Sequence, residues 1–217
     1  MSTREKILWE ALNQFSQRGF EAVSIRDIAR AVGIKESSLY NHFTGKRDIL
    51  DSVLQEYGNR WGAVFEQMQL TGGDHVFPVN AQAADAYHRM GSEQFMGMAQ
   101  MLFEIYMTDD INVKVRRLLT IEQYRDPELG QLFRKISFED SLTYQTQIFQ
   151  TMMDAGFFVK GDPQMVAFAF FSPIFLLFYR CDGTEESLNE ARALFTRHVQ
   201  HFQHMYAISA QEKEQGI

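Results

Sequence analysis

The stretch from Ser24 to Phe43 constrains the fold more than any other part of the chain. It reads Ser-Ile-Arg-Asp-Ile-Ala-Arg-Ala-Val-Gly-Ile-Lys-Glu-Ser-Ser-Leu-Tyr-Asn-His-Phe. Ser24 is a good N-cap, and Ile25, Ile28, Ala29 and Val32 follow at i, i+3, i+4 and i+7, one face of a short helix. Gly33 supplies a turn, and the spacing predicts a second short helix from about Lys35 to His42. Ile28, Ala29, Val32, Ile34 and Leu39 are then free to hold both helices against a third. That third helix precedes them: Ile7, Ala11 and Phe15 recur at i, i+4 and i+8 beside Leu8 and Leu12, and Gly19 stops it.

Helical period continues beyond this segment. A long fourth helix is predicted from about Lys46 or Asp48, carrying Ile49, Leu50, Val53, Leu54, Tyr57 and Trp61. Thr71–Pro78 reads as a linker. Asp109 or Asp110 caps a helix to about Tyr124, Asp126-Pro127-Glu128 opens another, and Asp162-Pro163 opens a third. Thr184-Glu185-Glu186 starts a final helix to about Ala207. Strand-like alternation is absent. The expected architecture is all-α, with about nine helices.

Composition narrows the function. Apolar residues make up 45% of the 217, enough for a sizeable core. The single cysteine, Cys181, rules out an intramolecular disulfide framework and suits a reducing compartment. The longest apolar run, 165–179, is shorter than the roughly 20 residues that span a bilayer, so a buried helix, a cytoplasmic location and no membrane are expected. The net charge of −7 argues against nucleic acid until its distribution is considered. Residues 1–50 carry eight Lys/Arg against six Asp/Glu, and the remainder 13 against 22. A slightly basic head on an acidic body fits a protein that touches DNA with one end.

The outer side of the second short helix carries Lys35, Ser37, Ser38, Tyr40 and Asn41, all able to hydrogen-bond and none needed for the core. A polar helix of this size fits a major groove about 12 Å wide. The stretch closely resembles the signature of the TetR family of transcriptional regulators, through Leu39-Tyr40-x-His42-Phe43 and the following Lys46; the Ile7–Phe20 helix with Gly19-Phe20 matches too. The resemblance covers about residues 4–57. It implies a helix-turn-helix DNA-binding domain at 1–50 and an effector-binding and dimerisation domain at 51–217. It implies a ligand-responsive regulator, commonly a repressor, that binds double-stranded DNA at a palindromic operator as a homodimer. Carried over by position, Ser24 at the start of its helix meets a phosphate, and Tyr40, His42 and Lys46 are further backbone contacts. Arg26, Lys35, Ser37, Ser38 and Asn41 are candidates for base edges. Asn41 stands where the family commonly has an aromatic residue, so operator preference does not transfer.

Sixteen of the 19 phenylalanines lie between residues 58 and 206, with methionines crowded around Met96–Met107. Such surfaces serve as ordinary core or line an adaptable pocket, and the family resemblance implies an effector cavity here. Met101, Tyr106, Arg117, Gln123, Tyr144, Gln147 and Phe171 are the candidate effector contacts. The 165–179 helix is apolar all round, so both its faces need cover. With the stripe Leu188, Ala191, Phe195, Val199, Phe202 and Tyr206 of the last helix, it is the expected dimer interface. His198, His201 and His204 recur every three residues, but steps of three drift about 60° around a helix and do not converge on a metal. No metal, no cofactor and no catalytic motif is expected; the rival readings are a small helical enzyme and a hydrophobic-ligand carrier.

Overall fold

The computed structural model describes residues 1–67, 89, 91–181 and 183–208. They form α1 (Thr3–Arg18), α2 (Ile25–Val32), α3 (Glu36–Leu39), α4 (Lys46–Gln67), α5 (Gly91–Thr108), α6 (Asp110–Glu122) and α7 (Pro127–Arg134). A π-helical turn (Lys135–Glu139) leads into α8 (Asp140–Asp154), followed by α9 (Pro163–Arg180) and α10 (Glu185–Tyr206). Among the described residues no strand forms; an isolated antiparallel bridge joins Phe158 to Ala207. The predicted linker at Thr71–Pro78 lies outside the described residues.

The helix starts follow the capping chemistry read from the sequence. Asp109, Asp126, Asp162 and Thr184 each accept backbone N–H bonds from the first turn of α6, α7, α9 and α10. Pro127 and Pro163 fill first-turn positions whose N–H would have no partner. The second short helix is shorter than predicted. Regular α3 stops at Leu39, and from there Asn41 N–H bonds Ser38 O at 3.3 Å and His42 N–H bonds Leu39 O at 2.9 Å, a tighter turn.

The described residues pack as two compact units. In the first, α1 lies against α2, α4 and α6, and α7 against α6. Ile7, Ala11 and Phe15 of α1, Ile28 of α2, Leu39, Ile49 and Leu50, and Val115 and Leu118 of α6 are wholly buried. Each of these side chains larger than alanine contributes about 1.5–3 kcal/mol relative to exposure. Lys114 Nζ sits 4.0 Å from the Trp9 ring centroid, and Trp61 Nε1 donates to the buried Asn112 Oδ1 at 2.8 Å. Arg47 binds Asp51, Asp126 and Glu128, fastening α4 to the start of α7. Packing therefore does not divide at residue 50. Residues 51–67 and 109–135 share the core of the first fifty, because α1 buries one face against α6.

The second unit is α5 with α8, α9 and α10. Phe103 and Met107 of α5, Ile174, Leu177 and Phe178 of α9, and Phe195 and Val199 of α10 form one cluster. Ile148, Phe149 and Met153 of α8, Ala167 of α9 and Phe202 of α10 form another. Phe170 packs against both. A bidentate ion pair from Arg192 to Glu104, at 2.6 and 3.0 Å, clamps α10 to α5, and Glu185 adds a third bond. These carboxylates hold the Arg192 guanidinium well above its ordinary pKa.

Candidate nucleic-acid interface

The head assembles from its caps outward. Ser24 caps α2 in a reciprocal box. Its hydroxyl accepts Asp27 N–H at 3.1 Å, while its own N–H donates to Asp27 Oδ2 at 3.0 Å. The Ser24 hydroxyl proton also points to Asp27 Oδ2, at 2.7 Å. The Asp27 carboxyl is accordingly held below the usual range, first by these Ser24 bonds and then by Arg18 and Arg30. At the far end Gly33 takes φ 77° and ψ 31°, the left-handed conformation that lets the chain reverse, and Ile34 N–H closes on Ala29 O at 2.9 Å. Leu39 and Phe43 anchor the following segment in the core.

That anchoring leaves Lys35, Ser37, Tyr40, Asn41 and His42 exposed together along α3 and the turn after it, with Ser38 half-buried beside them. Tyr40 keeps 56% of its surface open, an unusual placement for a tyrosine held on two buried neighbours. The two hydrophobic anchors fix the backbone while these side chains remain free to meet a ligand. Six of the nine candidate DNA contacts thus share one surface.

The other three are more committed than the sequence indicates. Arg26 Nε donates to Glu36 Oε1 at 2.7 Å, which bridges α2 to α3 and raises the guanidinium's pKa. Lys46 Nζ turns back to donate to Phe20 O at 2.8 Å and Glu21 O at 3.4 Å, and lies 4.3 Å from the Phe20 ring centroid. Ser24 spends its donors on Asp27. A phosphate at the start of α2 therefore has the N–H groups of Ile25 and Arg26 to meet, rather than the Ser24 hydroxyl.

The candidate effector contacts are dispersed. Arg117 is exposed on α6, and Gln123, just after α6, donates to Thr120 O at 3.1 Å; both belong to the first unit. In the second unit Met101 and Gln147 are exposed, and Tyr106 stacks on Phe178 at 4.2 Å, within the core. Tyr144 and Phe171 are half-buried. Much of the aromatic content is plain core: Phe103 stacks on Phe195 at 4.2 Å and Phe149 on Phe158 at 5.4 Å.

A groove of about 820 Å³ instead opens on the outer side of α9 and α10, lined by Pro173, Leu176, Leu177, Arg180, Leu194, Arg197, His198, Gln200, His201 and His204. On α9 the expectation of two covered faces meets only one. Ala167, Ile174 and Phe178 are buried, whereas Met165, Phe168, Leu176 and Tyr179 stay 43–62% exposed. Among the described residues α9 is also long and apolar enough to cross a membrane by length and composition, a test that core helices of soluble proteins pass as well. His198 binds Phe170 O at 2.7 Å while His201 and His204 face outward, and among the described residues no group of three or more candidate ligands could hold a metal. Cys181 is half-buried, its Sγ 3.3 Å from Ser187 Oγ.

With this geometry in place, residues 7–53 match the model for bacterial regulatory proteins, tetR family. Over 56 residues the chain is 39% identical to the HTH-type transcriptional repressor KstR2 of Mycolicibacterium smegmatis, a match covering 26% of this chain and 27% of that protein. Against the Rhodococcus jostii KstR2 the identity is 31% over 84 residues, or 39% and 41% of the two chains. The chain thus matches between about a quarter and two fifths of these relatives' lengths. The fold extends further. A putative TetR-family regulator from Mesorhizobium loti gives a TM-score of 0.65 at 20% identity, over 95% of this chain and 97% of that one. SmeT in complex with triclosan gives 0.63 at 18%, over 97% and 94%; SmeT is the repressor of the Stenotrophomonas maltophilia multidrug efflux pump SmeDEF. Residues 7–53 thus match the tetR-family model of bacterial regulatory proteins, and the helical fold of the chain is the one these solved structures have.

Proposed function

We propose that the chain is a cytoplasmic, ligand-responsive repressor that binds a palindromic operator as a homodimer. Residues 1–50 carry the DNA contacts and 51–217 the effector and the dimer interface. The observation that carries this reading is the exposed row of Lys35, Ser37, Tyr40, Asn41 and His42 along α3 and the turn after it, seated by Leu39 and Phe43. Tyr40 and His42 are suited to phosphates, Ser37, Ser38 and Asn41 to base edges, where asparagine pairs with adenine; Lys35, a base-edge candidate from the sequence, is assigned instead to a phosphate, which an exposed ammonium binds as a point charge. Lys46 and Ser24 act mainly by holding the loop and the cap that present α2.

The dimer reading rests on the uncovered apolar face of α9 beside the α10 groove. A two-fold axis there would cover both copies at once, and a dimer that reads a palindrome needs its two α3 segments about 34 Å apart, on successive major grooves. The effector is a small hydrophobic or aromatic molecule, a class to which the triclosan bound by SmeT belongs. To turn mostly bound into mostly free operator it must discriminate between the two states by about 5.5 kcal/mol.

The decisive experiment is binding to a duplex that the protein itself selects from a random pool, measured across a salt series. A steep loss of affinity with salt, preference for an inverted repeat and relief by a hydrophobic aromatic compound are expected. Binding no tighter than to random DNA would overturn the reading. Turnover of a substrate would favour a helical enzyme instead.

A further inference from the structure

The backbone of Phe20, in the turn between α1 and α2, is held at both its polar groups. Its N–H donates to Glu122 Oε1 at 2.8 Å, and its C=O accepts from Lys46 Nζ at 2.8 Å. Its ring meets Phe15 edge-on at 5.3 Å. The two grips come from different elements, Lys46 from the start of α4 and Glu122 from the end of α6.

Glu122 is an uncommon occupant of its place. It is the last residue of α6, where an acidic group opposes the helix dipole, and it abuts the end of α1, where the same objection applies. It is also 1% exposed, and a buried carboxyl is costly unless hydrogen-bonded. Its local compensations are the Phe20 N–H and Arg125 Nη1, 3.7 Å away. Gly19 completes the fit. At φ 81° it accepts a conformation that side chains disfavour, and a Cβ there would lie 2.8 Å from Glu122 Oε1. Three residues beyond Phe20 the chain is buried again at Val23, and Ser24 then opens α2. What Glu122 holds is therefore the entry to α2, which carries α3 through the Gly33 turn.

We propose that Glu122 is a positioning residue for DNA recognition: its carboxyl sets the α1–α2 turn, and through it the attitude of α2 and α3, without touching nucleic acid. The inference rests on the DNA-binding reading above and deepens it, because it makes part of the recognition geometry depend on a residue outside 1–50.

The test compares wild-type protein, Glu122→Gln, Glu122→Met and the contact variant Tyr40→Ala on a duplex that wild type has selected from a random pool. Stoichiometric titration gives each protein's active fraction, so lost folding is not counted as lost affinity. Glu122→Gln keeps an acceptor and is expected within roughly threefold of wild type. Glu122→Met keeps the length but removes the acceptor; affinity should fall roughly tenfold with the salt slope unchanged, since no phosphate contact is lost. The Phe20 amide proton should shift upfield in Glu122→Met. Should that variant fail to fold, Gly19→Ala, which crowds Oε1, is expected to show the same weakening. Wild-type affinity in a folded Glu122→Met or Gly19→Ala protein overturns the proposal, as does a Gln variant as weak as Met. A wild-type protein that selects no duplex removes the DNA reading and this inference with it; Tyr40→Ala weakening binding while Glu122→Met does not removes the inference alone.

Discussion

Along α3 the chain leaves Lys35, Ser37, Tyr40, Asn41 and His42 in solvent; along α9 it leaves Met165, Phe168, Leu176 and Tyr179. Both rows stand on well-buried anchors, Leu39 and Phe43 in the first case, Ile174 and Phe178 in the second. The difference is what water makes of them. A polar row is stable as it is, so its exposure shows only that it is available. An apolar row of this extent costs free energy until something covers it, so its exposure is itself an argument for a partner. The two surfaces must therefore respond to opposite tests, salt for one and protein concentration for the other.

The largest effect is expected on the apolar row. Leu176→Asp places a charge on a residue 62% exposed in the single chain but central to the face that a second copy would cover. Two-fold symmetry counts the change twice, and the dimer dissociation constant should rise more than about 100-fold. Sedimentation at micromolar concentration would show monomer, while helicity is retained because no buried core residue changes. An unaltered dimer would mean that this face is not the interface.

On the polar row the expected losses are smaller and of a different kind. Tyr40→Ala and Lys35→Ala should each weaken operator binding roughly tenfold with the dimer untouched. Lys35→Ala should also lower the slope of log affinity against log salt by about one, the mark of a single lost phosphate contact. Anisotropy titrations over a salt series read both quantities. A Lys35→Ala protein with full slope would move that residue from the backbone to the bases.

How much of this was legible beforehand follows from how local each signal is. The caps at Ser24, Asp109, Asp126, Asp162 and Thr184 were readable because a capping residue and its target lie two or three positions apart. The polar face of α3 was readable because Gly33 and Leu39 define it within a few residues. The grip of Glu122 on Phe20 spans 102 positions. Nothing near Glu122 marks it, and the rule that acids avoid the C-terminal ends of helices points the wrong way. The same distance hid α6 from the first unit, whose core could not be inferred from residues 1–50. The effector candidates scattered because aromatic and methionine content identifies a core without saying which members face a cavity; Tyr106 went to the core and Gln147 to the surface.

Arg26 sharpens the polar row by marking its edge. The sequence offers it as a base contact, but its guanidinium is already bonded to Glu36. The pair is largely exposed, with side chains 72% and 42% open, and exposed pairs contribute little. Arg26→Ala should then cost no more than about threefold in operator affinity, well below Tyr40→Ala. Glu36→Gln should tighten binding about twofold, by freeing Arg26 and removing a negative charge beside the proposed DNA contacts. Tenfold loss in Arg26→Ala would instead show that the arginine leaves Glu36 for a base in the complex.

The smallest expected effect concerns the cap beneath that row. The two Ser24 bonds hold the Asp27 carboxyl below the usual carboxylate range, with Arg18 and Arg30 adding to the pull. A carboxyl whose folded pKa is depressed adds stability that is fully present above its unfolded value, about 3.9, and is lost as pH falls through the folded value. The start of α2 should consequently be indifferent to pH between 6 and 8 and loosen only in acid. Carbon-13 titration of the Asp27 carboxyl should give a midpoint below about 3.9, and Asp27→Asn should flatten the acid limb of the stability curve. A midpoint above that value would mean that the Ser24 bonds do not persist in solution. In that case the Ser24 hydroxyl would be free for a phosphate, and the polar surface would extend from α3 back to the first turn of α2.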